Sequence, residues 1–247
     1  MTGLAQPSPD PNPGLGRVVR PDPWLSLIRR KIAVGQDLLR FHGPVKFFGR
    51  ILPWTLHRRY VLFEGSTAET ASGPEAAASV RSSLARPEDL PLLLSARPGF
   101  YNLGRLEERL AAGHACFIAW LGRRPVGIRW AFVGSVYLPY LSRTLVLAPD
   151  EAYSDELFVV PRFRRQGVDR RNFQFMCSWF KARGFRRHFC LLTPWDEHLH
   201  RRYERLGMRQ TGEVIRLSGA GRKTYRWEGR FQDLGRGRVA IAPNGIG

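Results

Sequence analysis

The sequence predicts an α/β protein of the mixed (α+β) kind: a largely antiparallel central sheet flanked by helices, preceded by a basic amphipathic helical extension. Three observations predict it. Residues 155–211 read strand, basic glycine turn, helix, strand, helix. Ahead of them, apolar stretches at 115–120, 126–133 and 141–147 follow one another at hairpin spacing, which gives an antiparallel half-sheet. Earlier still, 23–58 repeats apolar residues at helical spacing among arginines and lysines.

In chain order, residues 1–22 carry Pro7, Pro9, Pro11 and Pro13 with several glycines. Such a composition cannot bury a core, and a disordered tail is expected. In 23–58, Leu25, Ile28, Ile32 and Leu39 keep helical spacing, Gly43-Pro44 breaks the run, and Phe47, Phe48, Ile51 and Leu52 resume it. Arg29, Arg30, Lys31, Arg40, Lys46 and Arg50 stud the same stretch, with Trp24 and Trp54 near its ends. It suits peripheral contact with an anionic membrane, or packing on the domain or on a second subunit. A short strand from Tyr60 to Glu64 and a linker rich in Ser, Thr, Ala and Gly fill 59–79. The domain proper is expected at 80–234. It opens with a strand at 80–84, enters its first helix through Arg86-Pro87-Glu88-Asp89, and adds a second helix at 103–112. Gly122-Arg123-Arg124-Pro125 turns the first hairpin. Two strands, 214–217 and 224–227, follow the central region, and 235–247 is expected to be a loose tail.

The central region carries the chemistry. Leu157, Phe158, Val159 and Val160 form a continuous apolar run stopped by Pro161, as in a strand buried on both faces. The turn Arg164-Arg165-Gln166-Gly167-Val168-Asp169 then opens a helix in which Phe173, Met176 and Phe180 recur at spacings of three and four. The first amides of a helix have no intrahelical partner and sit at the positive end of its dipole, so a glycine turn feeding a helix is an anion seat that fits a phosphate. A second strand at 188–193 leads to Thr193-Pro194-Trp195-Asp196, a capping residue, a proline and an acid that start the next helix. Leu199, Tyr203 and Leu206 share its inward face, Gly207 stops it, and Met208 is placed for the apolar contact that accompanies a glycine cap.

This order of elements resembles the GNAT superfamily of acyl-CoA-dependent N-acyltransferases, whose pyrophosphate-binding turn is written Gln or Arg, two residues, Gly, one residue, Gly or Ala. Arg164 and Gly167 fill the first and central positions; Arg165 replaces a residue that is often glycine, and Asp169 stands where the last small residue is expected, so the turn is degenerate. A carboxylate there repels a pyrophosphate unless it turns away or pairs with Arg170 or Arg171. Asp196 seven residues before Tyr203, with Leu206-Gly207-Met208 behind, is similar to the family's Asn, Tyr and Leu-Gly-Phe.

The resemblance implies acetyl-CoA or a longer acyl-CoA as cosubstrate, an amine as acceptor, direct transfer in a ternary complex, and no metal. It puts the cosubstrate on Phe158, Val159, Val160, Arg164, Arg165, Gln166, Gly167, Val168, Asp169, Arg170 and Asp196, with the N–H of Val159 at the oxyanion. Tyr203 becomes the candidate general acid; its phenol, with an ordinary pKa of about 10, is matched to a leaving thiol. Asp155 or Glu156 becomes a relay for the amine's proton. Strand alternation sends these two to opposite faces, so at most one meets the cleft. Plainer readings stand beside each: a core tyrosine, strand-end charges, and a helix cap for Asp196.

Charge sets the remaining bounds. The 247 residues carry 39 Lys and Arg, all but four of them arginine, against 21 acids, a net charge of +18. A GC-rich bacterial genome would give the same bias. Such a chain attracts nucleic acid, an acidic membrane or a nucleotide cosubstrate. No nucleic-acid motif is present, so a basic nucleic-acid-binding or membrane-surface-binding protein stays an alternative, as does a catalytically inactive CoA-binding module motivated by Arg165 and Asp169. Cys116, Cys177 and Cys190 sit in apolar stretches without metal-ligand spacing and read as buried thiols. His198 and His200, two apart on a helix, diverge, and His188 with Cys190 makes only two ligands. A cytoplasmic or membrane-peripheral protein, monomeric or homodimeric, is the expectation.

Overall fold

Residues 57–68, 80–97, 100–219 and 222–243 are described by the computed structural model. The tail at 1–22, nearly all of 23–58 and the linker at 69–79 lie outside the described residues. In chain order the elements are β1 (His57–Ser66), β2 (Val80–Leu84), α1 (Leu90–Ala96), α2 (Leu103–Ala111), β3 (Ala115–Leu121), β4 (Arg124–Val133), β5 (Ser135–Leu138), β6 (Arg143–Val146), β7 (Glu151–Val159), α3 (Val168–Ala182), β8 (Arg187–Leu192), α4 (Glu197–Arg205), β9 (Arg209–Gly219), β10 (Arg222–Gly229), β11 (Phe231–Gly235) and β12 (Arg238–Ile241).

Eight strands form one sheet in the order β10-β9-β1-β8-β7-β4-β3-β2. Every neighbour in it is antiparallel except β7 and β8, which run parallel because α3 carries the chain back between them. The apolar alternation of β3 and β4 divides their side chains between two helical layers. Ile118, Ile128, Trp130 and Phe132 face the α1 and α2 layer with Leu90, Leu93 and Leu106. Phe117 and Ala131 face Phe173, Met176 and Phe180 of α3 and Tyr203 of α4. Each fully buried side chain of this size contributes roughly 1.5–3 kcal/mol, so the inward stripe of α3 accounts for its docking.

The edges of the domain differ from expectation. The short strand expected at Tyr60 to Glu64 is ten residues long and lies inside the sheet between β8 and β9, so the domain takes in residues well before Val80. The strand expected at 141–147 is β6, and it is preceded by a strand that was not expected, β5, with which it forms a hairpin turned at Pro139 and Ser142, the latter with φ of 56°. The expected loose tail contains β12, which pairs parallel with β6 and buries Val239 and Ile241 in a second sheet of order β11-β12-β6-β5.

Candidate active site

The parallel pairing of β7 with β8 is short. It joins Glu151 to Arg187, Ala152 to His188 and Tyr153 to Phe189, and then stops, although β7 continues to Val159 and β8 to Leu192. The two strands separate, each still held by its outer neighbour. Burial follows: residues 151–154 are buried, and 155–160 are partly exposed. The Val160 amide donates to the Val126 carbonyl at 2.9 Å. Since alternate residues of an antiparallel ladder point their polar groups to opposite sides, the Val159 N–H faces the open edge. The Val159 carbonyl on that edge accepts from Arg164 Nε at 3.2 Å.

Just past this edge, the basic turn takes two left-handed residues, Arg165 (φ 65°) and Gly167 (φ 75°), and delivers the chain to Val168 at the start of α3. Gly167 takes that conformation without strain and Arg165 does not. No side chain caps α3, so its first amides are left for another acceptor. The Gln166 side chain donates back to the Arg162 carbonyl at 3.0 Å. Arg162, Arg165, Arg170 and Arg171 are exposed around the turn. The start of α3 presses directly on β4: a Cβ on Gly127 would lie 2.9 Å from Val168 Cγ1 and 3.2 Å from the Ala119 Cβ.

Asp169 turns away from the seat. Its partner is neither Arg170 nor Arg171 but Arg129 on β4, which is only 2% exposed and donates to Asp169 Oδ1 at 2.6 Å. Arg202 on α4 pairs with the other carboxylate oxygen. The second arm of Arg129 donates to the Tyr203 hydroxyl at 2.9 Å. In the strand order β7 lies between β8 and β4, so this bond joins the helix that follows β8 to the strand on the other side of β7. Burial holds the Tyr203 phenol well above its ordinary range, a rise that Arg129 only partly offsets, so it is a weaker acid than the ordinary phenol expected from the sequence.

The opposite face holds the two adjacent carboxylates. Where β7 opposes Arg129, two residues face one, and Glu156 takes a left-handed φ of 54°. This bulge breaks the alternation expected of Asp155 and Glu156 and brings both to the α1 and α2 side. Glu156 is held by Arg109 of α2 through two bonds of 2.8 and 2.9 Å, with the guanidinium 5.0 Å above the Trp130 ring. Among the described residues Asp155 has no cationic partner of this kind: it accepts from the Glu156 amide at 2.7 Å and from the Tyr140 hydroxyl at 3.2 Å. Burial, and then the neighbouring Glu156 charge, push its carboxyl up to about 6. Tyr140 also bonds the Tyr153 hydroxyl at 2.5 Å, and its ring lies against Tyr60. Phe158, further along β7, lies 4.8 Å below the Arg97 guanidinium.

The other sequence candidates separate. Asp196, and not Thr193, is the N-cap of α4; its side chain accepts from the Leu199 amide at 3.4 Å. Gly207 (φ 83°) ends that helix, with the Met208 amide on the Tyr203 carbonyl at 3.0 Å. His200 bonds the Thr193 carbonyl, and among the described residues no cluster of His, Cys, Asp and Glu is disposed to hold a metal. Cys116, Cys177 and Cys190 are buried free thiols. Sequence reasoning missed Arg129, Arg109 and Tyr140. Only Arg129 left a signal: it is the one charge within the apolar run of β4, and a sheet-buried guanidinium requires an acid.

Residues 85–208 match the model of the acetyltransferase (GNAT) family. No curated protein matches. Among solved structures, the chain resembles an aminoglycoside acetyltransferase from an uncultured soil metagenomic sample, at 18% identity over 53% of this chain and 90% of that one, with a TM-score of 0.41. It also resembles the aminoglycoside acetyltransferase AAC(6')-Iy in complex with a CoA bisubstrate analogue (21%, 52% and 89%, TM-score 0.42) and a GCN5-related N-acetyltransferase from Kribbella flavida (16%, 66% and 60%, TM-score 0.45). With the family model covering just over half of its length, the chain belongs to the acetyltransferase (GNAT) family.

Proposed function

We propose that this chain is an N-acyltransferase that moves an acyl group, in the simplest case acetyl, from acyl-CoA to an amine by direct attack in a ternary complex. The observation that carries the reading is the separation of β7 from β8 beside an uncapped helix start: an unpaired strand edge and an anion seat lie next to each other. The amides at Gly167, Val168, Asp169 and Arg170 hold the pyrophosphate, and Arg164, Arg165 and Arg170 add positive charge around it. The edge formed by Phe158, Val159 and Val160 pairs with the pantetheine arm, and the Val159 N–H meets the oxyanion.

Asp155 serves as the base. A carboxyl pushed up to about 6 is ionised at neutral pH yet takes a proton more readily than an ordinary aspartate, and a neutral amine is what attacks a thioester. Glu156, neutralised by Arg109, holds the bulge and leaves the proton to its neighbour. Tyr203 gives the departing thiolate its proton. Asp196 acts as a helix cap.

The test is thermal unfolding with acetyl-CoA and with longer acyl-CoAs. Ligand at a hundred times its Kd adds about 2.7 kcal/mol, which raises the Tm by roughly 5–10 °C for a domain of this size. Gly167→Val, which places a β-branched residue at a φ of 75°, should abolish that rise while the free protein still unfolds cooperatively. Absence of a rise in the wild type with every acyl-CoA would overturn the reading.

A further inference from the structure

We propose that Arg129, with Asp169 as its counter-charge, is a positioning residue that fixes the Tyr203 hydroxyl for proton donation to the leaving thiolate; this rests on the acyl-transfer reading above. An arginine has five donors and no acceptor, so the bond from Arg129 to Tyr203 can only run from nitrogen to the phenolic oxygen. The phenol's own hydrogen is therefore excluded from that bond and is available to another acceptor. The guanidinium is rigid and planar, and its second arm is anchored to Asp169 at 2.6 Å, so its orientation is fixed from the first turn of α3. Arg202 holds the remaining oxygen of Asp169, and the Phe173 ring lies 5.1 Å from the Arg129 guanidinium.

In the transfer step the Tyr203 O–H bond breaks and an S–H bond forms. The electron pair stays on the phenolate oxygen, against a guanidinium already in place, and a solvent proton restores the phenol once CoA has left. The same arrangement accounts for the acid that interrupts the pyrophosphate turn. A small residue at 169 would leave Arg129 buried without a counter-charge, so the departure at Asp169 and the arginine in β4 form one device built from residues 40 apart in sequence.

The experiment is a double-mutant cycle on kcat with Arg129→Lys, Tyr203→Phe and the pair, using whichever amine of a broad panel the wild type acetylates or, failing that, its hydrolysis of acetyl-CoA, which expels the same thiolate. Arg129→Lys should lower kcat tenfold or more, with KM for acetyl-CoA within twofold, and should have no further effect once Tyr203 is Phe. Asp169→Asn, which keeps shape and Arg129, should show the same dependence on Tyr203 with a smaller loss. It replaces Arg129→Lys in the cycle if the lysine variant does not fold. Effects that multiply, or a kcat unchanged by either substitution, overturn this inference and leave the transferase reading intact. A wild type that binds CoA but neither acetylates an amine nor hydrolyses the thioester overturns the transferase reading and this role together.

Discussion

The two faces of the sheet meet at the bulge in β7, and each places an acid there under opposite conditions. On the α3 and α4 side Asp169 is 6% exposed and held between two arginines. On the α1 and α2 side Glu156 is likewise held, by Arg109, but among the described residues Asp155 beside it has only a phenol and a backbone amide. An acid between guanidiniums is a fixed charge that shapes its surroundings. An acid among phenols, with a like charge adjacent, is the one whose proton moves near neutral pH. The difference teaches that proximity to the strand edge does not identify the base; the partner does.

The largest effect should come from the α3 and α4 side. Tyr203→Phe removes the proton donor while keeping the ring between Phe63 and Phe173, and a loss of about 10²–10³ in kcat is expected, with acyl-CoA binding unchanged. Steady-state kinetics with an activated, low-pKa thioester check it, since such a leaving group should recover most of the loss.

Asp155→Asn should cost about 10² in kcat/KM and remove an acid limb. With the carboxyl at about 6, activity rises as pH passes upward through that value, and the variant's profile should lack this rise. The stability effect has the opposite sign. Because the folded pKa lies above the ordinary value, the favourable contribution of the protonated form is full below about 4 and lost as pH rises through about 6. Asp155→Asn should therefore gain roughly 1–3 kcal/mol at pH 8 while losing turnover. A variant that loses stability at pH 8 would show that the carboxylate is paired after all.

Glu156→Gln sharpens the contrast from the other direction. It leaves the half-buried Arg109 short of its counter-charge and should destabilise by about 1–3 kcal/mol in urea unfolding, with kcat changed less than about fivefold. A drop in kcat as large as that of Asp155→Asn would exchange the roles assigned to the two acids.

How much of this was legible in the sequence depended on distance along the chain. Gly167, the helix after it, and Tyr203 with Gly207 could be read because turn chemistry and helical spacing act over a few residues. Arg129 with Asp169, Arg129 with Tyr203 and Arg109 with Glu156 join residues 40, 74 and 47 apart, and nothing local marks such pairs until the sheet order is known. The bulge had no signal at all: the left-handed φ at Glu156 arises where β7 pairs with β4, so alternation put one carboxylate on the wrong face. Asp169 was legible as a departure from the family pattern, and turning away was one of the two outcomes expected of it; its partners, Arg129 on β4 and Arg202 on α4, were not legible, because they lie far from it in the sequence, while Arg170 and Arg171 beside it are exposed.

The smallest effect concerns His188, and it tests whether the α3 and α4 side tolerates any charge besides its arginines and Asp169. His188 is fully buried, packs its ring on Phe173 and Phe180 at 5.4 and 5.9 Å, and has no partner on either nitrogen among the described residues. Burial, and then the positive charge of Arg129, lower its pKa to about 3. A folded pKa below the ordinary 6.5 means that the fold keeps its full stability above that pH and loses it as pH falls toward 3, by about 1.4 kcal/mol per unit. Between pH 6.5 and 5 this costs the wild type roughly 2 kcal/mol. His188→Leu has no proton to bind and relieves two unpaired nitrogens, so it should match or exceed the wild type at pH 7 and lose about 2 kcal/mol less on going to pH 5 in urea titrations. Equal losses in both proteins would mean that His188 takes up its proton within the fold, which a neighbouring buried guanidinium should forbid.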